Sequence, residues 1–171
     1  KVNEWMQPII NQPEVGILGV LTKIVKDKRY FLIQQKFEPG NINIIQLSPT
    51  VQATESNYNR VHVGKRTKYL EYFLGNTLHK ILYDQLQSEQ GGRFYRKRNR
   101  NMVVEIEEDI EVNHDTFNWI PEDELNPLFQ INNLINMDLR SVFCCLAKMR
   151  LKDRPYNTND EIINWVSQIK F

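Results

Sequence analysis

The run that most constrains the fold lies near the start of the chain. Val15 to Val25 is apolar and β-leaning, with Gly16 and Gly19 inside it. Lys26-Asp27-Lys28-Arg29 makes a charged turn, and Tyr30-Phe31-Leu32-Ile33-Gln34-Gln35 returns. Two β-prone runs joined by a short polar turn read as a hairpin. Antiparallel sheet is therefore the frame into which the rest must fit.

Before the hairpin, Asn3 to Pro13 reads as irregular, punctuated by Pro8 and Pro13. After it, Pro39-Gly40-Asn41 signals a turn, Ile42 to Leu47 a partly alternating strand, and Ser48-Pro49-Thr50 its stop. Residues 53–59 suit one or two helical turns, Arg60 to Val63 a short strand, and Tyr69 to Phe73 an extended aromatic segment. From Thr77 the period changes. Leu78, Ile81, Leu82, Gln85, Leu86 and Glu89 share one side of a helix that Gly91-Gly92 ends. Asn101 to Ile106 and Thr116 to Ile120 read as strands. Pro121 suits a first helical position, with Glu122, Asp123 and Glu124 in the favourable first turn. Leu134 to Met149 has the cleanest helical period, and Thr158-Asn159-Asp160-Glu161 matches a capping box before a last helix. The order implies an α+β domain: a mixed β-sheet packed by a central helix and C-terminal helices.

With 171 residues, the chain fits one domain, 1–171, with a sizeable core. It opens on lysine, so it is expected to be trimmed or a piece of a longer protein. Nothing approaches ~20 continuous apolar residues, and no signal-peptide pattern opens the sequence. Cys144 and Cys145 are adjacent in an apolar run, which suits buried thiols better than metal ligation. A reducing, cytoplasmic location and no membrane partner are expected. A formal net charge of +1 argues against a dedicated nucleic-acid binder.

Charge is nevertheless concentrated locally. Arg93-Phe94-Tyr95-Arg96-Lys97-Arg98-Asn99-Arg100 holds four arginines and a lysine. If extended, it would carry cations on both faces, whereas a half-buried strand should pack one of them. Guanidinium is a rigid fork suited to phosphate, so phosphate or diphosphate contact is the leading reading. Pairing with the acidic turn at Glu107, Glu108, Asp109 and Glu111, or a solvated face, stays open. A second segment, Glu38 to Thr54, is rich in amides and hydroxyls beside strand ends, including Gln46 and Thr50. Such groups suit hydroxyl-bearing ligands, and they also simply make turns.

Among titratable groups, Glu89 stands out as a carboxylate ending an apolar stripe beside guanidiniums. Desolvation and nearby cations pull its affinity for a proton in opposite directions, a balance that suits a base, although a structural Glu–Arg pair is equally natural. His62 titrates near neutrality, but a lone histidine is more often structural. Glu71 has a claim similar to that of Glu89, and Tyr58, Tyr72 and Tyr83 are possible proton donors. The three histidines lack metal-ligand spacing, and there is neither a dinucleotide-binding nor a phosphate-loop glycine motif.

Long words in the sequence carry more. Trp5-Met6-Gln7-Pro8, Pro13-Glu14-Val15-Gly16-Ile17-Leu18-Gly19, Gln34 to Asn41, Gln46 to Tyr58, Tyr69 to Phe73, Gln87-Ser88-Glu89-Gln90-Gly91 and Lys97 to Met102 together resemble the NDP-hexose 2,3-dehydratase family. The resemblance covers most of the chain. It implies a Nudix-like α+β module, usually found in tandem, here present about once. Trp119 to Leu125 is similar to a late strand-to-helix segment of Nudix domains, yet the acidic Nudix metal helix has no counterpart. The implied activity is a lyase reaction: loss of water across C2–C3 of a thymidine-diphosphate 4-keto-6-deoxyhexose, with no cofactor. A homodimer, or pairing with a second homologous module, is the implied assembly. On this reading Arg93, Arg98 and Arg100 hold the diphosphate, with Asn101 beside them. Gln46, Thr50 and Asn57 address sugar or base. Glu89 or His62 removes the proton, and Tyr58 protonates the leaving hydroxyl. The alternatives are a noncatalytic sugar-nucleotide-binding half, an atypical Nudix pyrophosphohydrolase and an interaction domain.

Overall fold

The computed structural model describes residues 6–58, 67–75 and 79–150. The hairpin forms as expected. Strand β1 (Gly16–Val25) turns through Lys26 and Asp27, with φ of 49° and 62°, into β2 (Lys28–Phe37). Two successive positive φ values give the tight turn whose twist matches paired strands. Strands β3 (Ile45–Ser48) and β4 (Val51–Ala53) follow, then a four-residue helix α1 (Glu55–Tyr58). A 3-10 turn (Leu70–Phe73) leads to β5 (Lys80–Ser88), β6 (Arg98–Glu105) and β7 (Phe117–Pro121). Helices α2 (Glu122–Leu128) and α3 (Met137–Arg150) end the described chain. The sheet order is β3-β2-β1-β6-β5, with β4 on β1 and β7 on β2. It is mixed, because β1 and β6 run parallel and the other pairs are antiparallel. The fold is thus α+β, a mixed sheet with flanking helices.

β1 and β2 pair only from Leu21 opposite Leu32 to Val25 opposite Lys28, and then part. β3 continues on β2 and β4 on β1, with Pro49-Thr50 crossing the fork. Thr50 fills it: its hydroxyl accepts from Leu21 N–H at 2.9 Å and donates to the Leu32 carbonyl. One side chain therefore satisfies a backbone donor and acceptor that the divergence would strand.

The two faces of the sheet bury different clusters. Ile17, Leu21, Met102 and Val104 pack beneath Leu70 and Phe73. Leu18, Val20, Phe31, Ile33 and Val103 pack beneath Leu125, Leu139 and Val142 of α2 and α3. Strand alternation divides them. Gly19 lies on the first face, where a Cβ would sit 2.4 Å from the Phe73 ring. The missing side chain lets that ring rest on the backbone.

Three expectations change. The central helix over Leu78–Glu89 is instead the edge strand β5, paired with β6. The register shifts between Ile81 and Tyr83, so Leu82 is an extra residue. A bulge of that kind breaks period-two alternation, and the apolar residues around it imitate helical spacing. Tyr69 to Phe73 is a 3-10 turn, not an extended segment: residues three apart eclipse there, which puts Leu70 and Phe73 on one buried side. Helix α3 starts at Met137, later than Leu134, because the preceding residues pair with β3. Leu47 N–H donates to the Leu134 carbonyl and Asn136 N–H to the Leu47 carbonyl.

Smaller shifts accompany these. Pro121 stands at the N-cap of α2, with the three acidic residues in its first turn. Cys145 is buried but Cys144 is exposed. Arg60–Val63 and the capping box at 158–161 lie outside the described residues. No helix among the described residues is long and apolar enough to cross a membrane.

Candidate functional site

Strand parity decides what meets α3. On β6, Asn99 and Asn101 share the face of Val103, toward α3. The last residues of β5 pair alongside, with Gln87 opposite Asn99. Glu89 leaves the strand end and accepts from the Asn99 side-chain amide through Oε2 and from Gln90 N–H at 3.3 Å through Oε1. The α3 N-terminus closes this corner. Asn136 caps the helix, its Oδ1 accepting from Leu139 N–H at 2.9 Å. The next residues, Met137 and Asp138, face a hollow of about 210 Å³ that Glu89, Asn99, Asn101 and Ser141 also line.

A second, more polar hollow of about 580 Å³ adjoins it through the shared residues Met137 and Asp138. Glu38, Asn41, Gln46, Arg93, Asn136 and Arg140 line this part. An amide chain supports it. Asn136 Nδ2 donates to Gln52 Oε1 at 3.3 Å, and Gln52 Nε2 donates to Glu38 Oε1 at 3.0 Å. The larger hollow is of the size of a small-molecule site, and both hollows are lined more by polar than by apolar groups.

The electrostatics are uneven. Burial pushes the Asp138 carboxyl up from 3.8 to about 6, and the nearby Glu89 and Glu38 charges add to the effect. At Glu38 burial also opposes ionisation. There Lys36, at 2.9 Å, and the amides of Asn41 and Gln52 outweigh it and hold the carboxyl below its usual range. Asn101 Oδ1 is a further oddity: it is buried and, among the described residues, has no hydrogen-bond partner. Its residue is 1% exposed and lines the smaller hollow.

The sequence-derived candidates separate on this frame. Glu89 and Asn101 meet in the smaller hollow, and Gln46 and Arg93 line the larger one. Gln46 also donates to the Asn133 carbonyl at 2.7 Å, tying β3 to the segment before α3. Arg98 and Arg100 lie on the opposite face of β6, with Met102 and Val104, and Arg100 pairs with Asp84. Thr50 is buried, and its hydroxyl is committed to the β1–β2 fork. Asn57 falls on α1, Tyr58 is its last residue, and His62 lies outside the described residues. Glu71 lines another hollow, beside the 3-10 turn, with Lys68 and His114. The cationic run is not one strand. Residues 91–96 form a loop held by Ile10, whose N–H donates to the Arg93 carbonyl and whose carbonyl accepts from Tyr95 N–H, both at 2.9 Å. Lys97 is buried and donates to the Glu14 carbonyl.

Asp138, Glu38 and Gln52 were missed as site residues. An acidic residue in a helix's first turn is ordinary, so Asp138 carries no signal of its own. Gln52 and Glu38 lie in the segment singled out for its amides and hydroxyls, which was a usable hint.

Comparison with known proteins agrees with the words in the sequence. The family model described as NDP-hexose 2,3-dehydratase matches residues 1–146. The chain belongs to that family. Among 2,3-dehydratase relatives, a dTDP-4-dehydro-6-deoxy-alpha-D-glucopyranose 2,3-dehydratase of Saccharopolyspora spinosa is 52% identical over 142 residues. That match covers 83% of this chain and 29% of the relative. Proteins of the same name from Amycolatopsis orientalis and Streptomyces violaceoruber are each 44% identical, covering 95% and 97% of this chain. The chain spans only 34% and 39% of those two relatives. Among solved structures, a Nudix hydrolase from M. Smegmatis, RenU, superposes with a TM-score of 0.48 at 11% identity, covering 85% of this chain and 90% of that one.

Proposed function

We propose that this chain contributes the sugar-nucleotide site of a 2,3-dehydratase, acting on a dTDP-linked 4-keto-6-deoxyhexose. Membership of the family supports the reaction class, and the relatives' printed activity supports the substrate. The observation that carries the reading is Glu89, a carboxylate held by the Asn99 amide inside a polar hollow at the α3 N-terminus.

The chemistry follows from the carbonyl. The 4-keto group acidifies the C3 hydrogen, so a carboxylate suffices as base when it lies within reach. Glu89 takes that proton. The electron pair passes to the C4 oxygen as an enolate, then returns to expel the C2 hydroxyl, and donors around the C4 oxygen stabilise the enolate. Arg93, open to the larger hollow, is the guanidinium of the run best placed for diphosphate. The whole of 1–171 would act as one Nudix-like module. Because it spans a minor share of its relatives, a second homologous module or a second copy would complete the assembly. A cytoplasmic location fits a metabolite substrate.

The test uses the full chain with the 4-keto sugar nucleotide and follows loss of water. Glu89→Gln should lose at least about 100-fold in turnover while still binding dTDP. Arg93→Ala should weaken dTDP binding by about tenfold in calorimetry, and Arg98→Ala should leave it unchanged. Full turnover by Glu89→Gln rules out the proposed base. Wild-type protein that binds dTDP but releases no water points to a binding half.

A further inference from the structure

Two carboxyls meet in the smaller hollow, and their surroundings differ. Glu89 receives N–H donors from Asn99 and Gln90, which suit a carboxylate. Asp138 receives none among the described residues. It faces Glu89 from the end of β5 and Glu38 from the end of β2, with Lys36 as its opposing cation and Arg93 and Arg140 farther round the larger hollow. Two neighbouring carboxyls in such unlike settings suit different roles: the donors favour charge at one, and burial beside like charge favours a proton on the other.

We propose that Asp138 is the general acid of this site, giving its proton to the C2 oxygen of the 4-keto sugar after Glu89 has taken the C3 proton. The assignment rests on the dehydratase reading above and adds to it the group that makes hydroxide leave as water. The step balances. The C3–H bond breaks and its proton goes to Glu89. The C2–O bond breaks with its electron pair on oxygen, which takes the Asp138 proton and departs as water, leaving a C2=C3 double bond conjugated with the C4 carbonyl. Glu89 is then protonated and Asp138 ionised, so one proton passing between them resets the pair. Burial and the two neighbouring anions, which raise the Asp138 carboxyl to about 6, keep a usable proton on it near neutrality.

The leaving group provides the test. Fluoride departs without a proton, so a dTDP 4-keto sugar with fluorine at C2 bypasses an acid but still needs the base. Asp138→Asn should stay folded, melting no lower than wild type, and bind dTDP within about threefold of wild type. It should lose water at least about 100-fold more slowly, yet release fluoride within about tenfold of the wild-type rate. Glu89→Gln should lose both reactions. Wild-type rates of water loss in Asp138→Asn would overturn the assignment and leave the dehydratase reading standing. So would a fall in fluoride release as large as the fall in water loss. A wild-type chain that eliminates neither water nor fluoride would overturn the dehydratase reading, and this assignment with it.

Discussion

Replacing Asp138 by asparagine removes a carboxyl that the fold disfavours as an anion, and its effect on stability has a definite sign. The group titrates at 3.8 when free of the fold and at about 6 in it. The folded state therefore holds the proton more tightly than the unfolded one. That contribution is fully present below about 3.8 and is lost as the pH rises through about 6. Above neutrality the folded protein carries a buried charge beside Glu89 and Glu38, at a cost of at most about 3 kcal/mol. Asparagine is nearly isosteric and carries no charge. Asp138→Asn should match wild type near pH 4 and exceed it by about 2–3 kcal/mol above pH 7. Urea unfolding at a series of pH values measures the difference directly. A variant no more stable than wild type above pH 7, or a gap that does not open between about pH 4 and 7, would refute the picture of a carboxyl strained by burial and like charge.

Other consequences are structural. Thr50→Val keeps the shape of the fork filler but leaves Leu21 N–H and the Leu32 carbonyl facing a methyl group. It should cost about 1–3 kcal/mol in denaturant unfolding. Gly19→Ala would place a Cβ 2.4 Å from the Phe73 ring, a rigid and fully buried neighbour. A loss of about 1–3 kcal/mol is expected, read as a lowered melting temperature. Gly16→Ala puts a Cβ 2.8 Å from Asn99 Oδ1, whose amide holds Glu89. On the proposed reading of Glu89 as base, turnover should fall by about tenfold or more with dTDP affinity preserved, since a small displacement of a reacting group is costly.

The hairpin was legible because a charged turn between two β-prone runs has few other outcomes. β7 and the start of α2 were legible because proline and acidic residues at a helix start have local physical causes. β5 was not. Its extra residue at Leu82 disguises alternation as helical spacing, and only the β6 edge beside it settles the matter. Glu89 drew notice on chemical grounds even though its element was misread, because a carboxylate beside cations and apolar residues is unusual in either conformation, and it lines the smaller hollow. The arginines show the opposite. Their charge was evident, but their faces were not, because the chain is a loop through Arg96 and strand alternation starts afresh at Arg98. Asp138 was invisible for a tertiary reason: Glu89 and Glu38, which give it its character, arrive from distant strands.

The parallel pairing of β1 with β6 bears on how this protein is made. Residues 16–22 have no partner on that edge until residues 99–105 emerge and return to them. Hairpin β1–β2 and its continuation into β3 can close early from neighbouring segments, but the parallel ladder needs a long loop to close first. Asn99 and Asn101 belong to that ladder, so the floor of the hollow that holds Glu89 forms late. A ribosome-bound chain released before β6 would show hairpin protection in hydrogen exchange and no affinity for dTDP. Competence would then be acquired in one step, once the start of α3 has followed the sheet, and not accumulated strand by strand.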